Sequence, residues 1–200
     1  MSLSKLKLVT INSRYCEYLR QFDYRVSYNS NEKESRPFVG ILFKIHEIEY
    51  FAPLSSPKAK HLKMKNTLDF YKINSGKLGA INFNNMIPVP TSEYIFINVN
   101  NNASTKDEAN YQELVKNQLR WLNDNKFSLR KRAQNLYERS ANHKLPKIVE
   151  KRCCDFRLLE EKCFLYQNTV QYRQDIFLLP LHPDRTNLNI DHQVPFILLL

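Results

Sequence analysis

Only three glycines, Gly40, Gly76 and Gly79, occur in the 200 residues, too few to build either a P-loop or a GxGxxG turn. Nucleotide hydrolysis and dinucleotide chemistry are therefore not indicated. The four cysteines form no CxxC pair, and the adjacent Cys153 and Cys154 make a poor framework for a bridge, so reduced thiols in a cytoplasmic protein are expected. The five histidines show no HExxH and no ligand pair at helical spacing, which argues against a structural or catalytic metal, and no cofactor is expected. Long apolar runs are also missing. The longest, Val194 to Leu200, is far too short to span a bilayer, and the N-terminus has no apolar stretch of signal-peptide length.

What the chain has in excess is positive charge. Thirty Lys and Arg against twenty Asp and Glu give a formal charge of +10, which makes a polyanion the first partner to consider. A hydrophobic content of 42% is enough for one substantial core and excludes a disordered chain.

Leu6 to Ile11 reads as a strand, followed by a helical turn that Asn12 or Ser13 caps and on which Tyr15, Leu19 and Phe22 share a face. The polar stretch from Tyr24 to Pro37 reads as a loop. Phe38 to Ile45 and Ile48 to Leu54 suggest a hairpin turning at His46-Glu47, with Pro53 marking the end of its second strand. Further strands are expected at 68–73, 78–83, 86–89 and 94–97, with a turn at Asn74-Ser75-Gly76-Lys77. Beyond an Asn-rich linker at 98–104 the periodicity becomes helical: Tyr111, Val115, Leu119 and Leu122 form a stripe interrupted by Gln118, and Ser128 is expected to cap a second helix. Between Lys126 and Arg152, nine basic residues face two acidic ones. Residues 164–200 match no element before them and read as a C-terminal extension of unknown role to a domain at 1–163.

The segment Ser55 to Asn66 carries Lys58, Lys60, Lys63 and Lys65 and no carboxylate. Two hydroxyls, an imidazole and ammonium groups, gathered where a buried strand emerges, form a ready anion site, because all of their hydrogens can point at a phosphate.

At this cluster the sequence resembles the ToxN/AbiQ family of endoribonuclease toxins from type III toxin-antitoxin systems, whose antitoxin is an RNA. The blocks that carry the match are YCEYL at 15–19 with Phe22-Asp23, RPFVGI at 36–41, YFAPLSSPK at 50–58, LGAINFNNMIP at 78–88 and CDFRLLEEK at 154–162. The resemblance implies an α+β fold with a compact antiparallel β-barrel core, Kid/MazF-like, carrying packed helices and a helical C-terminal half. It also implies metal-independent RNA cleavage in which the ribose 2'-hydroxyl attacks the adjacent phosphate, leaving 2',3'-cyclic phosphate and 5'-hydroxyl ends.

By this match Ser56 is the central active-site hydroxyl with Ser55 beside it, and Lys58 stabilises the phosphate. A serine alone is a poor base. The residues leave that role open between Lys58, deprotonated under the influence of neighbouring cations, and His61, whose ordinary titration range suits it. Tyr15, Tyr28 and Arg36 fall at or near RNA-contacting positions of the family, and Lys60, Lys63, Lys65, Arg130 and Lys131 extend the cationic surface. The partners implied are an RNA substrate and a repeat RNA antitoxin folded as a pseudoknot, bound between toxin protomers in a closed ring, in a phage-defence role. A noncatalytic RNA-binding protein using the same basic surface is the competing reading.

Overall fold

A computed structural model describes residues 4–27, 37–45, 47–100 and 103–178, with side chains as far as 169. Two compact units are distinguished, Met1–Gln167 and Asn168–Leu200; of the second only the helical residues 168–178 are described. The first unit begins with β1 (Lys7–Ile11) and α1 (Ser13–Arg20), continues through β2 (Phe38–Gly40), β3 (Lys44–Ile45) and β4 (Ile48–Ser55), and then turns through the short helix α2 (Ala59–Lys63). Four three-residue strands follow, β5 (Phe70–Lys72), β6 (Ala80–Asn82), β7 (Ile87–Val89) and β8 (Tyr94–Phe96). The helices α3 (Lys106–Asp124), α4 (Lys126–Ala141), α5 (Lys147–Glu150) and α6 (Phe156–Leu178) complete the order.

All strand pairings are antiparallel, in the order β5-β6-β4-β2-β1-β8, with β3 and β7 also paired to β4. The expected barrel is not formed: the sheet is open, with β5 and β8 as its ends. The physical reason is strand length. Six of the eight strands have two or three residues, so no ladder is long enough to carry the tilt and stagger that closure requires. Helices do the covering instead. Val115 and Leu122 of α3, Leu129, Ala133 and Leu136 of α4, and Phe156, Leu159 and Cys163 of α6 share one buried core with Val9, Phe38, Val39, Phe51, Ile81 and Val89 of the sheet. The α+β class and the helical second half stand.

Local chemistry explains several elements. Asn12 caps α1 by accepting the Arg14 N–H at 3.0 Å, and Thr105 with Glu108 forms a full capping box on α3. The expected hairpin pairing is present, with Ile45 of β3 opposite Ile48 of β4 and Glu47 at φ 67; His46, the other expected turn residue, lies outside the described residues. Pro53 does not end β4. It sits opposite Phe38, and beyond it the ladder passes to β6, with Leu54 opposite Ile81 and Ser55 opposite Ala80. Ser128 lies inside the first turn of α4 and caps nothing; Asn125 is the capping position, and Ser128 Oγ donates to its carbonyl at 2.9 Å. None of the four cysteines is in a disulfide, all are buried, and burial pushes the Cys163 thiol up to about 11. No helix among the described residues is long and apolar enough to cross a membrane.

Candidate active site

The chain leaves the sheet at Ser55. That residue is still held in the ladder opposite Ala80, and its Oγ accepts a hydrogen bond from Asn82 Nδ2 at 2.7 Å. Because the oxygen is the acceptor there, the hydroxyl proton is free to be donated elsewhere. Ser56 and Pro57 are exposed, Lys58 has extended backbone (φ −141, ψ 144) at the start of α2, and His61 N–H donates to the Lys58 carbonyl at 2.8 Å, closing the first turn.

Two of the three glycines brace this segment from behind. Gly79, at φ +98, lies so close that a Cβ would stand 2.0 Å from the Ser55 carbonyl oxygen, and Gly76, at φ +93, would place one 2.8 Å from the His61 carbonyl oxygen. The bracing loop is itself held by Gln118, whose Nε2 donates to the Leu78 carbonyl at 2.8 Å. The single polar interruption in the apolar stripe of α3 therefore reaches the turn behind the serines.

In front of the segment is a cleft of about 260 Å³. Ser55, Lys58, Lys60, His61 and Lys65 line one part of it; Thr67, Asp69, Asn82, Asn84 and Arg152 line the rest, with Met64 and Phe70 as apolar surface. Four cations face one carboxylate. His61 is 2% exposed, its ring 5.8 Å from that of Phe70, and among the described residues Nδ1 has no hydrogen-bond partner. Burial first, and then the charges of Lys60 and Lys58, hold its pKa below the ordinary 6.5, so the imidazole is neutral at neutral pH. No group of three or more His, Cys, Asp or Glu placed to hold a metal occurs among the described residues.

Of the residues singled out from sequence, the cleft thus gathers Ser55, Lys58, Lys60, His61 and Lys65. Ser56 is exposed but outside its lining, as is Lys63. Tyr15, expected to contact RNA, is fully buried: its hydroxyl donates to the Pro88 carbonyl at 2.8 Å and its ring packs edge-on against Tyr166 at 4.9 Å. It is a core residue with no surface to offer a nucleotide. Arg130 lies away from the cleft, its guanidinium donating to the backbone carbonyl and hydroxyl of Ser4, both at 3.1 Å. Lys131 is exposed on α4 beside a separate hollow with Arg132 and Asn135. Tyr28 and Arg36 lie outside the described residues.

Residues that sequence reasoning passed over are Asp69, Asn82, Asn84 and Arg152. Arg152 was visible only as one of nine basic residues, and Asn82 and Asn84 only within the LGAINFNNMIP block.

The sequence model of the family described as Toxin ToxN, type III toxin-antitoxin system, matches residues 7–163. This chain belongs to the ToxN toxin family. The match takes in the whole cleft, from Ser55 to Arg152. Among ToxN relatives, Endoribonuclease ToxN of Bacillus thuringiensis subsp. kurstaki is 32% identical over 173 residues, covering 84% of this chain and 88% of that one. A solved structure from work on selective toxin inhibition by a non-coding RNA pseudoknot in bacterial type III toxin-antitoxin systems superposes with a TM-score of 0.70 at 32% identity, covering 82% of this chain and 99% of the other. The structure of AbiQ, a lactococcal anti-phage endoribonuclease of the type III class, superposes with a TM-score of 0.68 at 27% identity over 82% and 99%.

Proposed function

We propose that this ToxN-family protein is a metal-independent, sequence-specific endoribonuclease of the cytoplasm, acting in phage defence and held inactive by a cognate repeat RNA. The observation that carries the reading is the cleft that holds Ser55, Lys58, Lys60 and His61 together, a hydroxyl, two ammonium groups and a neutral imidazole around a space that fits a phosphodiester.

The neutral imidazole of His61 takes the proton from the ribose 2'-hydroxyl. The freed oxygen attacks the adjacent phosphorus, forming the P–O2' bond as the P–O5' bond breaks, and an ammonium of Lys58 or Lys60 returns a proton to the departing 5'-oxygen. The products are a 2',3'-cyclic phosphate and a 5'-hydroxyl. Ser55, its oxygen fixed by Asn82, donates its proton to a non-bridging oxygen, and Lys58 offsets the charge that grows there. Ser56, exposed one residue further on, orients the chain as it enters. Phe70 and Met64 offer an apolar wall for a base.

Two relatives are named endoribonucleases and one structural neighbour is inhibited by an RNA pseudoknot. By that kinship the inhibitor here is a repeat RNA pseudoknot, bound between protomers in a closed ring and drawn to the same cationic residues as the substrate. The 1–163 portion carries this activity, with 164–200 as an extension.

The test is incubation of purified protein with a long RNA in EDTA, with analysis of fragment ends. Fragments ending in cyclic phosphate are expected from the parent protein and not from Ser55→Ala. Binding without fragments would establish the noncatalytic RNA-binding reading instead.

A further inference from the structure

Lining the same cleft as Ser55 and Lys58 is a group that the proposed mechanism leaves unused. Arg152 makes a two-point ion pair with Asp69, Nε to Oδ2 at 2.5 Å and Nη2 to Oδ1 at 2.8 Å. The two ends of the pair are unequal: the Asp69 side chain is 2% exposed and the Arg152 side chain 47%. Asp69 is fully engaged, since Thr67 Oγ1 also donates to its Oδ1 at 2.9 Å. A guanidinium carries five N–H donors, of which Asp69 takes two; the other three have no protein partner among the described residues, on a side chain that lines the cleft.

Its backbone is pinned as well. Asn84 Nδ2 donates to the Arg152 carbonyl at 3.1 Å, Cys154 N–H donates to the Asn84 carbonyl at 2.8 Å, and Asn84 N–H donates to the Asp69 carbonyl at 3.1 Å. The arginine is therefore fixed at both ends while its outer edge is open. The lysines of the cleft present point charges on flexible stems, whereas a braced guanidinium presents a planar fork matched to two phosphate oxygens.

We infer that Arg152, held in plane by Asp69, grips the non-bridging oxygens of the scissile phosphate in the cleft that it lines together with Lys58. This assignment rests on the nuclease reading above and adds to it the residue that stabilises charge at the reacting phosphorus. Asp69, buried behind the fork, touches no substrate and acts as a positioning residue.

The test measures single-turnover cleavage with enzyme in excess, together with affinity for the same RNA carrying 2'-O-methyl groups, which cannot be cut. Arg152→Ala is expected to lower the cleavage rate by about 100-fold, the order seen when one preorganised donor is lost, while affinity for the uncleavable RNA falls by less than about threefold. Arg152→Lys keeps a cation that can still pair with Asp69 but loses the fork; it should melt like the parent and cleave at least about tenfold more slowly. It decides the matter if Arg152→Ala fails to fold. Parental cleavage by Arg152→Lys, or a loss in Arg152→Ala that appears wholly as weaker binding, would overturn the assignment. Failure of the parent itself to cut in EDTA would overturn the nuclease reading, so the two failures are distinct.

Discussion

The packing of Gly79 against Ser55 leads to a prediction that joins stability to activity. In Gly79→Ala the new Cβ would lie 2.0 Å from the Ser55 carbonyl oxygen, and ordinary contact begins at 3.4 Å, so the two must part by about 1.4 Å. Neither side can yield freely. Ser55 is tied to Ala80 in the ladder and to Asn82 through its hydroxyl, and residue 79 sits at φ +98, where an L side chain is strained even without the contact. The strain is about 1–3 kcal/mol. One disrupted hydrogen bond adds about 1 kcal/mol. Together they come to about 2–4 kcal/mol, or a melting temperature lower by about 4–16 °C for a chain of this size. Activity should suffer more than stability. A displacement of about 1 Å at a catalytic hydroxyl costs about 100-fold in rate, even where the protein remains folded. The assay is a thermal melt together with cleavage well below the lowered midpoint. Asn74→Gly is the control, because Asn74 also has a positive φ, 46, but is exposed in the turn; it should leave both readouts unchanged. A Gly79→Ala protein that melts and cleaves like the parent would refute the reasoning.

His61 makes both stability and cleavage depend on pH. Its folded pKa lies below the unfolded 6.5, so its contribution to stability is complete above about pH 6.5 and is lost as pH falls through the lower folded value. The parent should therefore lose more stability between pH 7 and pH 5 than His61→Gln does, as measured by urea unfolding. Cleavage by the parent should be level above pH 6.5 and fall below it; a midpoint above pH 7 would remove His61 as the base. Tyr15→Phe deletes the buried donor to the Pro88 carbonyl, at a cost of about 1 kcal/mol, with cleavage and RNA affinity unchanged. A rate loss without a drop in melting temperature would return Tyr15 to the active site.

Where signals were local, the sequence was readable. Asn12 before α1 and the turn at 74–77 each announce themselves within a few residues, and each is found where expected. Long-range properties were not readable. Closure of the sheet depends on ladder length between distant strands, which strand propensity does not convey. Asp69 and Arg152 are 83 positions apart, so nothing in either neighbourhood marks them as a pair. Tyr15 falls within a family block and on an apolar helix face at once, and only packing decides for the core. Arg130 and Lys131 are adjacent in one basic run, yet one is spent on Ser4 and the other faces solvent.

The cleft belongs to neither half of the fold alone. Its hydroxyl, imidazole and lysines come from the end of β4 and from α2, fixed from behind by Gly76, Gly79 and Gln118. Its arginine, Arg152, comes from the junction between α5 and α6, fixed to the sheet half by the hydrogen bonds of Asn84 and by the Asp69 pair. The Gln118 bond and the Arg152 attachments join the helical half to the sheet half, so each forms only once the helices have docked on the sheet. The helices are then more than a cover for a short-stranded sheet. If they loosen, the Arg152 fork moves and the Gln118 bond to the turn behind Ser55 is released together, while the ladder that holds Ser55 can remain intact. A site assembled in this way is complete only in the fully folded chain, whereas a surface built from one segment would bind RNA as soon as that segment formed.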